Sequence, residues 1–178
     1  MCSSDLSGGS RNMIGNIILQ KRSGIVGWII SLFTRSDYVH VGIEIENNQV
    51  VHVDFWGRHI EPISNWEDAF ACGAIIVLTP KMPLSPSDKW FLQGSIIREP
   101  VSGYSLWSAV NSVLWKNPND NKIMRKRYHC SGFVSAMYRK WLNTDLVPGL
   151  SDDATQPQDF LNSPMLRQIS TNVKKETK

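Results

Sequence analysis

Cysteine is scarce in this sequence, and long apolar runs are missing. The three cysteines, Cys2, Cys72 and Cys130, lie far apart, which excludes a disulfide framework and a CxxC-type zinc site. No apolar run reaches the roughly 18 residues that predict a membrane span. The opening segment, MCSSDLSGGSRN, lacks the apolar core of a signal peptide. The sequence therefore predicts a cytoplasmic protein.

An excess of either charge is also absent. Lys and Arg number 19 and Asp and Glu 16, which leaves a net charge of +3. This is far from the clustered basic charge typical of a nucleic-acid-binding protein. With 178 residues, 42% of them hydrophobic, the chain is long enough to bury a core as one domain. We expect that domain at 13–170, with flexible tails at 1–12 and 171–178.

Hydrophobic patterning predicts an α+β protein whose strands cluster in the first half of the chain. The predicted strands are Met13–Gln20, the hairpin arms Tyr38–Ile45 and Gln49–Phe55, and Ala74–Leu78. The predicted helices are Ile25–Phe33, Lys89–Arg98 with Ser87 or Asp88 as its cap, Leu106–Trp115, and one that begins at Cys130. The last is the clearest, because its apolar residues recur at helical spacing. The stretch Thr155–Ser163 predicts a loop or short turn.

Two histidines stand one in each arm of the predicted hairpin. If Asn47 and Asn48 form its turn, residues pair when their numbers sum to about 95. Strand alternation then puts His40 and His52 on one face in a diagonal arrangement. We expect the two imidazoles within reach of each other, so that a hydrogen bond from one fixes the tautomer of the other.

Cys130 stands at the start of its predicted helix. Free backbone N–H groups and the helix dipole favour a thiolate there and lower the pKa of a cysteine. A thiolate, an imidazole base and an orienting group are sufficient for covalent acyl transfer. Two other interpretations stay open. Cys130 is an inert, small apolar side chain in the first, and in the second it shares a zinc site with His40, His52 and His59, although no carboxylate or Cys pair gives metal-ligand spacing.

Three motifs resemble those of the circularly permuted NlpC/P60 cysteine hydrolases, the YiiX/YebB-like members of the papain-like group, to which lecithin:retinol acyltransferases are related. The motifs are YVHVGI at 38–43, VVH at 50–52 and YHCSGFV at 128–134. Three further segments resemble the family in the same order: GNIIL at 15–19, FTRS at 33–36, and TQPQDF followed by SP at 155–164. The resemblance therefore runs from about residue 13 to residue 167.

The resemblance implies a papain-like fold, in which a small antiparallel sheet with both histidines packs on the helix that carries the nucleophile. It implies Cys130 as nucleophile, His40 as general base and His52 as the residue that orients His40. Backbone N–H groups at the helix start are expected to help hold the oxyanion. The implied enzyme uses no metal or other cofactor.

Some positions depart from the family pattern or compete for a role. Many YiiX-like members have Glu where this chain has His52, and Asp54, on the same strand face, is a rival for the orienting role. His129 separates the tyrosine from Cys130, and we expect it to face solvent. Trp56, just after the strand of His52, is a candidate to line a substrate cleft.

The implied function is a cysteine hydrolase that forms a thioester acyl-enzyme. Its partner is a substrate with an amide or ester bond, in a peptide, a peptidoglycan fragment or a lipid. Amide hydrolysis is the first interpretation. The alternatives are a lipid acyltransferase, (phospho)lipase or ester hydrolase of the lecithin:retinol acyltransferase type, and a binding module that has lost activity.

Overall fold

An antiparallel sheet of six strands forms the centre of the fold. The structure, a computed structural model, describes residues 13–21, 37–54, 56–68, 75–101 and 128–169. The strands are β1 (Ile17–Lys21), β2 (Tyr38–Ile45), β3 (Gln49–Asp54), β4 (Gly57–Pro62), β5 (Ile75–Pro80) and β6 (Leu166–Ile169). Their order in the sheet is β4-β3-β2-β1-β5-β6. The two edge strands, β4 and β6, are absent from the sequence predictions.

The β2–β3 hairpin has the predicted turn. Asn47 and Asn48 have φ angles of 60° and 54°, in the left-handed region that asparagine tolerates better than most residues. Gly42 pairs with His52, so that paired numbers sum to 94, one less than the expected value. This register places His52 on the same sheet face as His40, because side chains two residues apart on a strand share a face.

The described residues form four α-helices: α1 (Ile63–Asp68), α2 (Pro86–Arg98), α3 (Cys130–Leu142) and α4 (Pro157–Leu161). The start of α3 at Cys130 is as predicted, and this helix packs on β2 and β3. Strands and helices thus combine in the predicted α+β class.

Two predictions about helices are wrong. The N-cap of α2 is Ser85 and neither Ser87 nor Asp88, since Ser85 Oγ accepts a hydrogen bond from the Asp88 N–H at 3.1 Å and Pro86 suits the first helical position. The stretch 155–163, predicted as a loop or short turn, contains α4. There the Asp159 carboxylate accepts a hydrogen bond from the Gln156 N–H at 2.8 Å, as part of a capping box.

Side chains alternate between two cores, one on each face of the sheet. The larger core joins α3 to alternate sheet residues, among them Leu19, Val41, Ile43, Val51 and Leu78. The smaller core consists of Ile18, Val50, Trp66 and Val77. Trp66, from α1, is 2% exposed and covers the face that carries His40 and His52. We call this the histidine face of the sheet.

The helices predicted at Ile25–Phe33 and Leu106–Trp115 lie outside the described residues, as do Cys2, Cys72 and both tails. They stay predictions, and so do the domain boundaries. No helix in the described part of the chain is both long enough and apolar enough to cross a bilayer.

Candidate active site

The two hairpin histidines are in direct contact, as predicted. His40 Nε2 lies 2.8 Å from His52 Nδ1 in a hydrogen bond, and the rings meet edge to face with centroids 4.8 Å apart. Trp66 stacks on His40 with centroids 5.2 Å apart and planes inclined by 28°, and it meets the His52 ring edge to face at 5.1 Å. The indole therefore fixes the orientation of both imidazoles.

A carboxylate that the sequence did not predict occupies the far side of His52. Glu61, on β4, places Oε1 2.9 Å from His52 Nε2, an ion-pair distance although the N–H is not aimed straight at the oxygen. The same Oε1 accepts a hydrogen bond of 2.6 Å from Trp66 Nε1. Glu61 was missed because β4 is an edge strand without a clear apolar alternation. The contact depends on the pairing of β3 with β4, which sets Glu61 opposite Val50.

Asp54, the rival for the orienting role, lies beside a different histidine. Its Oδ1 is 2.9 Å from His59 Nε2 and also accepts a hydrogen bond of 2.7 Å from the backbone N–H of Trp56. His59 in turn stacks on His52, with ring centroids 5.4 Å apart. The group hydrogen-bonded to His40 is therefore His52. Asp54 interacts with His59 instead, and His59 stacks on His52.

The imidazoles of His40 and His52 are neutral on the histidine face. Burial, followed by the charges of His52 and His59, lowers the pKa of His40 to about 3. Burial also lowers the pKa of His52, and this effect outweighs the opposite influence of Glu61 and Asp54. A neutral imidazole has one nitrogen that carries hydrogen and one with a lone pair, so each of these rings is able to accept a proton.

Cys130 is buried at the first position of α3 with 5% of its surface exposed. The expected lowering of its pKa is wrong, because burial raises the pKa of the thiol to about 11. Backbone N–H groups of Ser131 and Val41 hydrogen-bond the sulfur and act in the opposite direction. Desolvation of a charged sulfur thus outweighs the helix N-terminus.

The sulfur of Cys130 is placed next to the strand of His40. The backbone N–H that β2 directs at this sulfur belongs to Val41, the residue after His40. The pairing of β2 with β3 ends at Gly42 and His52, so Val41 lies just past the last pair. Within the described residues no hydrogen bond joins the Cys130 thiol to the His40 imidazole.

His129 is 3% exposed, and the expectation that it faces solvent is wrong. Its Nε2 lies 3.0 Å from the Thr155 carbonyl oxygen, which also accepts a 2.7 Å hydrogen bond from Ser131 Oγ. The residues on either side of Cys130 therefore hold the chain just before α4. Burial lowers the pKa of His129, so the ring is a neutral donor to that carbonyl.

The remaining candidates have simpler surroundings. Trp56 is 89% exposed, and its indole is free to meet a ligand from solvent. Among the described residues, no group of three or more His, Cys, Asp and Glu side chains is arranged to hold a metal ion.

A solved structure shows the same fold over most of the length of both chains. It is the crystal structure of metalloprotein yiiX from Escherichia coli O157:H7, DUF1105, which superposes with a TM-score of 0.62 and 18% sequence identity. The match covers 89% of this chain and 96% of the yiiX chain. The resemblance to the YiiX group is thereby confirmed at the level of the fold. No protein-family model and no curated protein sequence matches this chain.

Proposed function

We propose that this protein is a cysteine hydrolase with a permuted papain-like fold, which cleaves an amide bond through a thioester on Cys130. His40 is the general base and His52 the residue that orients it. The observation that carries the proposal is the 2.8 Å hydrogen bond between His40 Nε2 and His52 Nδ1. It occupies one nitrogen of His40 and leaves Nδ1 as the ring atom that can take a proton from a nucleophile.

The position of Cys130 supports the nucleophile's role. The Val41 N–H that hydrogen-bonds the sulfur belongs to the residue after His40, so the thiol lies against the backbone of β2 next to the residue that supplies the base. The resting pair is a thiol and a neutral imidazole, given the raised pKa of Cys130 and the lowered pKa of His40. Proton transfer therefore accompanies attack on the substrate instead of preceding it.

The reaction has two balanced halves. In the first, Cys130 Sγ forms a bond to the substrate carbonyl carbon while its proton passes to His40 Nδ1. The tetrahedral intermediate collapses with cleavage of the C–N bond, and the amine leaves with the proton from His40. In the second half, His40 takes a proton from water as the water oxygen attacks the thioester carbonyl, the C–S bond breaks, and Cys130 leaves as the thiol with the proton from His40 while the carboxylic acid is released. Backbone N–H groups at the start of α3 stabilise the oxyanion in both halves.

Trapping of the acyl-enzyme tests the proposal. The protein is incubated with muropeptides and, separately, with phosphatidylcholine vesicles, quenched in acid and measured by mass spectrometry with peptide mapping. We expect an acyl adduct on Cys130 from the muropeptides and none in the Cys130→Ser variant. If only the phospholipid gives an adduct, the bond that the enzyme cleaves is an ester and not an amide. Full turnover by Cys130→Ser would overturn the nucleophile assignment.

A further inference from the structure

We infer that Glu61 is a positioning residue that selects the reactive tautomer of His40 through His52. The inference deepens the proposed function and rests on it for the role of His40. The three side chains contact one another in sequence, with 2.9 Å from Glu61 Oε1 to His52 Nε2 and 2.8 Å from His52 Nδ1 to His40 Nε2.

The carboxylate of Glu61 determines which ring nitrogens of His52 and His40 carry hydrogen. A carboxylate only accepts hydrogen bonds, so the His52 nitrogen beside it carries the hydrogen. Since a neutral imidazole has one N–H, Nδ1 of His52 then presents a lone pair. This lone pair accepts a hydrogen bond from the Nε2–H group of His40. Nδ1 of His40 is consequently left unprotonated, which is the form a general base needs.

Trp66 holds the Glu61 carboxylate in place beside His52. Its Nε1–H donates to the same Oε1 that faces His52, and Trp66 itself is almost fully buried. The indole that stacks on His40 is therefore also the group that fixes Glu61. Because Oε1 is shared, a glutamine at position 61 is expected to keep its oxygen toward Trp66 and so to keep an acceptor oxygen next to His52 Nε2.

The neighbouring carboxylate provides a matched control. Asp54 lies on the same sheet face and interacts with His59. It affects His52 only through its charge, so it does not decide which His52 nitrogen carries hydrogen. Both carboxylates are partly exposed, with 33% of the Glu61 side chain and 32% of the Asp54 side chain accessible, which favours folding of variants at either position.

The experiment reads the tautomers directly. Long-range ¹H–¹⁵N spectra of the full ¹⁵N-labelled chain are recorded at pH 7.5 for wild type, Glu61→Gln, Glu61→Ala and Asp54→Asn, with the four histidines assigned from single variants. We expect His40 and His52 to be Nε2–H tautomers in wild type, Glu61→Gln and Asp54→Asn. In Glu61→Ala both should become tautomer mixtures. An Nδ1–H tautomer of His40 in wild type, or fixed Nε2–H tautomers in Glu61→Ala, would overturn the inference.

Turnover of p-nitrophenyl acetate separates this inference from the proposed function. We expect Glu61→Ala to lower kcat on the order of tenfold to a hundredfold, part of the usual contribution of acid–base catalysis, with KM unchanged. If wild type has the expected tautomers but never acylates Cys130, the hydrolase proposal fails while the role of Glu61 as tautomer selector stands. If wild type acylates Cys130 and Glu61→Ala does so at the same rate, the role of Glu61 fails alone.

Discussion

The Trp66 ring lies over Gly42, and its tip comes within 3.0 Å of the point where a Cβ on that glycine would stand. A Cβ there would also lie 2.5 Å from Val50 Cγ1 and 2.9 Å from the Val51 carbonyl oxygen. The glycine between His40 and the hairpin turn therefore makes room for the indole that orients both histidines.

Substitution of Gly42 by alanine should destabilise the protein by about 1–3 kcal/mol, the usual cost of overpacking a core. The free energy of unfolding from urea titration checks this. Gly94→Ala is the control, because a Cβ there would meet nothing within 4 Å apart from its chain neighbours and the backbone of its own helix, and alanine gains up to about 1 kcal/mol over glycine inside a helix. Equal stability of Gly42→Ala and wild type would contradict the packing described for Trp66.

His52 and Glu61 should act as one unit in a double-mutant cycle. We expect His52→Ala to lower kcat for p-nitrophenyl acetate on the order of tenfold to a hundredfold, because His40 loses the partner of its Nε2. Addition of Glu61→Ala to His52→Ala should then have no further effect. His59→Ala, which removes a stacked ring and no hydrogen bond to His40, serves as the control and should stay near wild type. If the fold-losses of kcat in the two single variants multiply in the double variant, Glu61 acts independently of His52.

The buried thiol predicts an unusual pH dependence of alkylation. Burial raises the pKa of Cys130 to about 11, so the thiolate fraction at pH 7 is smaller than that of an ordinary cysteine, and the rate should increase with pH up to that value. Iodoacetamide labelling of Cys130, measured by mass spectrometry in a Cys2→Ser/Cys72→Ser background, tests this. A fast rate that is constant between pH 6 and pH 9 would instead indicate a thiolate–imidazolium pair with His40.

Glu44 should make stability fall as pH rises toward neutrality. It is 2% exposed and accepts a 3.1 Å hydrogen bond from Asn16 Nδ2, and burial raises its pKa from 4.5 to about 7. The folded protein therefore binds more protons than the unfolded chain between these two values. The stability that protonated Glu44 contributes is complete below pH 4.5 and is lost as pH rises through about 7.

A glutamine at position 44 removes this dependence. The stability of Glu44→Gln relative to wild type should increase by roughly 3 kcal/mol between pH 4.5 and pH 8. Urea unfolding of both proteins at the two pH values measures the difference. His40, His52 and His129 have lowered pKa values, which change stability in the opposite sense in this range, but they are present in both proteins and cancel. A constant difference between the two proteins would show that Glu44 is not buried as a neutral acid.

Local pattern was sufficient for the parts of the site that depend on one element or one turn. The asparagine pair and strand alternation predict that His40 and His52 meet, and helical spacing predicts where α3 begins. The contacts that were missed or misjudged span longer distances along the chain. His129 is buried and hydrogen-bonds a carbonyl oxygen 26 residues later in the chain. Glu61 contacts His52 because the edge strand β4 pairs with β3. The pKa of Cys130 depends on burial by distant residues, which no local motif encodes.

The left-handed turn at Asn47 and Asn48 does more than reverse the chain. A slip of the β2–β3 pairing by one residue would exchange the two faces of β3, so that the His52 imidazole would point into the core beneath α3 and a valine would stand beside His40. The pairing register at this hairpin is therefore a condition on the chemistry. Any redesign or natural variation of the turn that preserves the site has to keep Gly42 paired with His52.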